Sequence, residues 1–334
     1  MNTNQKVPPG TIVVGVDTSS TARRALDWAI HEAELEHRSL TLVHAVGNAV
    51  ASCVQVERRD IGEVIEQMMV QGRSTLTAAA ARVSLISPQT TVHQVLRLSS
   101  PHQALAALAD EAALLVVGPH TRGPHRDEAI SSATELATPG THGAPVAVAV
   151  ASPGGDVGEG ILVVIDGNVL SRPTLELAFR HAERRRLPLT VVHCLADPTE
   201  GGSDVDLWLM DSTARAESVS GPSLLGFQRA VLEVMVHELR AKHPTVGVTT
   251  VVDDAAVDDV LQRAATHMDV LVLSSRHAVR ASEGIFRDAD SATVRCVTVV
   301  QPSDNAVICD DAVDLLMDQA ETRALRTEVD DLEA

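Results

Sequence analysis

The chain has 334 residues, room for two domains of ordinary size, and sets 27 Lys and Arg against 45 Asp and Glu for a net charge of −18. That balance argues against a nucleic-acid backbone or an anionic membrane surface as partner. Three Phe, two Trp and no Tyr leave almost no stacking surface for single-stranded nucleic acid, while 45% hydrophobic residues supply a core of Ala, Val and Leu.

The chain opens with MNTNQKVPPG, which lacks the apolar stretch of a signal peptide. No apolar run approaches the length of a membrane span; Pro145–Ala151 is among the longest. A cytoplasmic location is therefore expected. The four cysteines, Cys53, Cys194, Cys296 and Cys309, form no CxxC pair, and we expect reduced, mostly buried side chains.

Ile12–Val16 is a continuous apolar run, the pattern of a strand covered on both faces. Thr18 to Ser20 can cap a following helix, whose apolar stripe is Ala22, Ala25, Leu26, Ala29, Ile30 and Ala33. Leu40–Val46 is the second strand. A second helix carries Val64, Ile65, Met68, Leu76 and Ala79, and Thr91–Leu98 is the third strand. A third helix over Pro101–Glu111 leads into a fourth strand, Leu114–Gly118. After a loop and a short helix near Asp127 comes the last strand, Pro145–Val150.

The series then repeats. Shifted by 149 residues, Ile12–Val46 falls on Ile161–Leu195 without a gap, with twelve identities that include Asp17 on Asp166 and His44 on His193. Ser171 is the cap candidate in the second copy, with Pro173 in the first turn and a stripe of Leu175, Ala178, Phe179 and Ala182. A second helix with Leu225, Phe227, Val231, Val234 and Leu239 follows, then strands at Gly247–Val252, Val270–Ser274 and Cys296–Val300, with a helix over Ala256–His267. The expected organisation is a first domain over 1–151, a Gly-rich linker over 152–160, a second domain over 161–302 and an acidic tail over 303–334. Such βαβα alternation predicts an α/β fold of two tandem doubly wound parallel-sheet sandwich domains. The tail holds ten acids and two arginines from Asp304 on, and Ile308, Ala312, Leu315, Leu325, Val329 and Leu332 give it the seam of a helix. That helix docks on its own domain or binds a protein partner; both uses fit. Residues 197–223 form a Gly/Ser/Asp-rich insertion in the second copy.

In an open parallel sheet, ligands sit outside the carboxyl ends of the strands. Asp17 ends the first strand, where a carboxylate can accept from a ribose hydroxyl or an adenine amine, or instead cap the helix behind it. After the fourth strand, Gly118 to Arg126 reads GPHTRGPHR, with two Arg and two His in an otherwise acidic chain. Such a loop can turn N–H groups and basic side chains toward a phosphate, with hydroxyls from Ser131 and Ser132, or can stand solvated without a ligand. His120, His125 and His142 have no Cys or carboxylate to complete a metal set, so no metal is expected. His44 and His193 are expected as satisfied core residues. No nucleophile elbow and no Walker loop is present.

Taken in order, VVGVD (Val13–Asp17), LTLVHA (Leu40–Ala45), LLVVG (Leu114–Gly118) and PVAVAV (Pro145–Val150) resemble the universal stress protein family. The second copy answers with LVVID (Leu162–Asp166), LTVVHC (Leu189–Cys194) and VLVLS (Val270–Ser274). The resemblance implies adenine-nucleotide-alpha-hydrolase-like domains, a role in stress responses, ATP as the ligand of many members, and no established catalytic class. The site it implies comprises Gly15 and Asp17 after the first strand, Ala45 on the second, and Gly118, Thr121, Ser131 and Ser132 toward the phosphates. The family pattern after the fourth strand is Gly-x2-Gly-x9-Gly-Ser/Thr; here Gly118 and Ser132 keep it, and Thr121 and Ser131 replace glycines. In the second copy Ser274, His277 and Arg287 stand at all three glycines, so no nucleotide is expected there. The function expected is a non-catalytic stress-response regulator with ATP or another adenine nucleotide in the first domain. A scaffold acting through protein contacts and a slow ATPase are the alternatives. The family pairs its last strands between protomers; with two copies in one chain, Val146–Val150 is expected to pair with Val297–Val300 as an intramolecular pseudo-dimer, and a further homodimer of whole chains stays open as an alternative.

Overall fold

The apolar runs become ten strands: β1 (Thr11–Gly15), β2 (Leu40–Ala45), β3 (Val92–Arg97), β4 (Ala112–Val117), β5 (Val146–Ala149), β6 (Ile161–Ile165), β7 (Leu189–Cys194), β8 (Val248–Asp253), β9 (Val270–Ser274) and β10 (Cys296–Val300). Between them lie α1 (Ser20–Glu36), α2 (Ile61–Ile86), α3 (Pro101–Ala109), α4 (Arg172–Arg185), α5 (Leu224–Lys242) and α6 (Val257–Ala265). The computed structural model describes residues 7–47, 61–118, 144–150, 158–165, 171–194, 224–253, 255–274, 277, 294 and 296–300. The acidic tail, the insertion over 197–223, the short helix expected near Asp127 and most of the linker lie outside the described residues.

All ten strands join one sheet in the order β3-β2-β1-β4-β5-β10-β9-β6-β7-β8. Every neighbouring pair is parallel except β5 and β10, which run antiparallel with Ala149 opposite Cys296 and Val146 opposite Val299. The expected pairing of the two last strands is therefore present. It turns two five-stranded half-sheets back to back about a pseudo-twofold axis. Within each half the chain runs outward from β1 or β6 and then returns to the other side of that strand, so the order reverses between β1 and β4 and between β6 and β9.

Successive strand residues face opposite sides, so a run apolar at every position signals burial on both faces. Ile12 and Val14 join a core that extends through both halves and includes Ile161, Val163 and the inward sides of α1 and α4. Val13 and Leu115 turn to a smaller core under α3, and Leu162 and Leu271 to another under α6. One face of the sheet thus has a continuous core and the other has one per half.

Helix α1 follows its sequence closely. Ser19 is the N-cap, its hydroxyl accepting from the Ala22 N–H at 3.0 Å, and all six residues of the expected stripe are buried. Its end is a left-handed residue, His37 (φ 52°), whose neighbour Arg38 donates back to the Ala33 carbonyl. The second copy repeats that end with Arg186 (φ 54°) and Leu187 on Ala182. One expectation needs correction, and one set of buried residues lies beyond the stripes. Ser171 takes the N-cap position of α4 with helical angles (φ −74°, ψ −9°) and makes no capping bond with its side chain, so the cap of the first copy is not repeated. Trp28 and Glu32 on α1, and Leu177 and His181 on α4, are buried although they lie off the apolar stripes. These two faces meet each other across the pseudo-twofold, a contact that a single repeat read alone cannot reveal.

Candidate functional site

The strand order reverses between the paired strands β1 and β4, and the carboxyl ends of strands at such a reversal are where doubly wound sheets place a ligand crevice, here the first candidate crevice. Val16 continues β1 by donating to the Val43 carbonyl at 2.9 Å, and Asp17 is the next residue and exposed. One Asp17 oxygen, Oδ1, accepts from the Ser19 N–H at 2.7 Å. Ser19 itself caps α1, and its hydroxyl also lies 2.9 Å from that of Thr21. The cap of α1 is thus Ser19 rather than Asp17, which acts on the turn before it. The carboxylate orders the turn ahead of the helix with one oxygen, and remains at the solvent edge of the crevice.

Gly118, the residue after β4, faces the first turn of α1. A Cβ there would stand 2.7 Å from the backbone carbon and oxygen of Thr21, closer than packed atoms tolerate. The glycine is thus required by helix–strand approach, one of the uses that glycines have in such folds. Gly15 is different: a Cβ would meet only Leu105 at 3.6 Å, an ordinary contact, so packing does not demand a glycine. Ala45 ends β2 opposite Arg97 and is half-buried. Thr121, Ser131 and Ser132, with the histidines of the same stretch, lie outside the described residues. Among the described residues, then, Gly15, Asp17, Ala45 and Gly118 are held at the carboxyl edge of one half-sheet.

Two further glycines shape this edge and carry no signal in the repeat. Gly47 follows β2 and donates to the Ser99 carbonyl at 2.9 Å; a Cβ would fall 2.3 Å from the Ser99 carbonyl carbon. Gly72 on α2 lets that helix approach Leu96, His44 and Val46. The second copy has Ala196 at the position of Gly47, so comparing the copies gave no reason to single it out.

The strand-two histidines do what was expected of them. His44 donates from Nδ1 to the Val16 carbonyl at 2.7 Å, tying β2 to the exit of β1, and His193 makes the same contact to Ile165 at 3.3 Å. Cys194 and Cys296 are buried free thiols, and burial pushes the Cys296 thiol up to about 12, which keeps it protonated and unreactive.

The second crevice is built differently. Ser274 stands at the end of β9, and its hydroxyl lies 3.3 Å from Nδ1 of His277. Two polar side chains thus occupy the strand exit where the first half has a bare glycine. Asp166 lies outside the described residues. Among the described residues no group of three metal-ligating side chains is found and no helix is long and apolar enough to cross a membrane.

Comparison with known proteins agrees with this architecture. The model of the Universal stress protein family matches the chain twice, over residues 9–135 and 159–295. The chain is similar to universal stress protein Rv2623 of Mycobacterium tuberculosis (strain ATCC 25618 / H37Rv), 27% identical over 273 residues, which cover 79% of this chain and 86% of that one. A universal stress protein of Mycolicibacterium smegmatis is 26% identical over 231 residues, covering 68% of this chain and 77% of the relative. Among solved structures, a universal stress protein from Archaeoglobus fulgidus superposes with a TM-score of 0.55 at 13% identity, covering 89% of this chain and 98% of that one, a likeness of fold.

Proposed function

The chain belongs to the Universal stress protein family, and we propose that it is a non-catalytic regulator of stress responses that binds an adenine nucleotide, ATP first among them, in its first domain alone. The observation that carries this reading is the first crevice: Asp17 at the exit of β1 beside Gly118, whose missing side chain lets α1 and the end of β4 close on one another. An exposed carboxylate at a topological switch point suits the hydroxyls of a ribose. The N-terminus of α1 adds a positive end-dipole nearby. Ser131 and Ser132 belong to the same proposal as the phosphate donors, with Thr121 on the loop between, and Ala45 beside the base.

The second domain is read as a partner without a nucleotide, because Ser274 and His277 place side chains where the family pattern has glycines. The scaffold reading rests on that same feature and gains if the first domain also fails to bind. No general base can be assigned for an ATPase. Calorimetry with ATP on the whole chain tests the proposal. Heat is expected for the wild type, reduced at least about tenfold in affinity by Asp17→Ala if a ribose hydrogen bond to a charged group is lost. Ser131→Ala is expected to weaken binding as well. No heat from the wild type overturns the reading, and unchanged heat in both variants overturns the site. Steady phosphate release that is lost in the variants promotes the ATPase.

A further inference from the structure

Helices α1 and α4 meet at the centre of the shared core face, beside the antiparallel β5–β10 pair. Their contact carries two ion pairs, of which the one at Glu32 is buried. Arg185 donates to Glu32, whose side chain has no exposed surface, and Arg184 donates to Glu36. Arg38 holds the second Glu36 oxygen at 2.8 Å. The Arg185 guanidinium also lies 5.8 Å from the ring centre of Trp28. Across the seam the acids come from the first half and the cations that meet them from the second, while Arg38 pairs with Glu36 within the first half.

The repeat shows what this asymmetry excludes. At the shift of 149, Glu32 corresponds to His181 and Glu36 to Arg185. Two first halves joined in this geometry would set Glu32 of one against Glu36 of the other. Two second halves would set the buried, neutral His181 against Arg185 and leave both guanidinium groups without a carboxylate. The strands offer no such discrimination: β5 (VAVA) and β10 (CVTVV) are both short and apolar, and an antiparallel backbone ladder is indifferent to which copy supplies each strand. Like charges brought together out of water are strongly disfavoured, as is a buried guanidinium left without its carboxylate, and partner choice is a difference between the intended pair and its rivals. We propose that the α1–α4 seam is a charge code for partner choice, by which each half accepts only the unlike half. Its occupant is the complementary half of this chain, and a second copy can enter only by exchanging unlike halves. A like-with-like family dimer is excluded at this face.

The test uses two full-length variants with different tags, Glu32→Arg and Arg185→Glu. Alone, each places like charges in the seam; together, the first half of one matches the second half of the other in both directions. Refolded from urea as an equimolar mixture, they are expected to form mixed dimers in at least about tenfold excess over self-dimers, read by size and by tag capture. The proposal is overturned if each refolds to a monomer as stable as the wild type and the two do not mix. Should either fail to refold alone, the double variant Glu32→Arg/Arg185→Glu in one chain decides. A urea midpoint above that of both single variants is expected, and a midpoint at or below them overturns the code.

Discussion

In the first half α1 begins at Ser20, capped by Ser19, and Gly118 at the end of β4 is drawn against Thr21. In the second half the matching position is Val169, yet α4 begins at Arg172, three residues later, and Ser274 stands where the first half has Gly118. The sheets behind these differences are alike: β1–β4 and β6–β9 pair in the same sense, and His44 and His193 make the same bond. A duplicated fold has therefore kept its frame and changed its strand exits and its helix α1/α4 surfaces. Frame residues are held in both copies by the same burial. Exits and helix surfaces differ: Gly118 packs on Thr21 where the other copy has Ser274 beside His277, and Glu32 and Glu36 of one helix face Arg185 and Arg184 of the other.

The largest effect is expected at the seam, where the copies differ in charge. Glu32→Ala strands Arg185 at a nearly dry contact and should cost about 3–5 kcal/mol in urea unfolding. Replacing both partners with Met should recover most of that loss or exceed the wild type, because buried ion pairs often add less than apolar packing. If the double replacement is as damaging as Glu32→Ala, the pair contributes stability as well as selection. The same seam predicts a pH dependence. His181 is buried and neutral, its pKa held well below 6.5 by burial and then by Arg185, Arg180 and Arg184, with Glu32 and Glu36 on the facing helix. The unfolded chain takes up this proton near pH 6.5 and the folded one only lower, so stability falls as pH drops below 6.5. His181→Leu should flatten that fall, measured as the difference in urea midpoint between pH 7.5 and 5.5. Glu32 works in the opposite sense: burial raises its pKa above 4.5, so its contribution is greatest at low pH and declines as pH rises through the raised value.

A middle-sized effect is expected at the strand exits. Gly118→Ala forces a Cβ into the Thr21 backbone and should cost about 1–3 kcal/mol while abolishing ATP heat. Ser274→Ala removes only a 3.3 Å side-chain contact and should cost about 1 kcal/mol or less, leaving ATP heat as it was. Equal losses of heat from the two substitutions would dissolve the distinction between the crevices.

The smallest effect concerns the third helix of each half. Ser100 and Gln103 form a capping box on α3, whereas Ala256 takes the N-cap of α6 with extended angles (φ −64°, ψ 148°) and no side-chain bond. Ser100→Ala should cost about 1 kcal/mol and Ala256→Ser should gain about 0.5–1 kcal/mol, both read from urea midpoints. A loss from Ala256→Ser would mean that this turn has no room for a hydroxyl.

The strands and the sheet-facing stripes were legible because burial on both faces and helical spacing are properties of a local segment: Val13 and Ile12 declare two cores, and Ala25, Ala29 and Ile30 one helix face. Asp17 and Gly118 were legible as residues of the strand exits, since each follows a strand that the run of apolar residues locates. Why Gly118 must be a glycine was not legible, because the atoms it would strike belong to Thr21, far away in sequence. Gly47 and Gly72 escaped notice for the same reason. By itself the sequence determined the repeat, the strand order in time and the family of the fold. Only the tertiary structure decided which faces of α1 and α4 meet. A charged residue such as Glu32 reads as a solvated position along its own helix, and becomes a buried partner only when Arg185, 153 residues away, is folded against it.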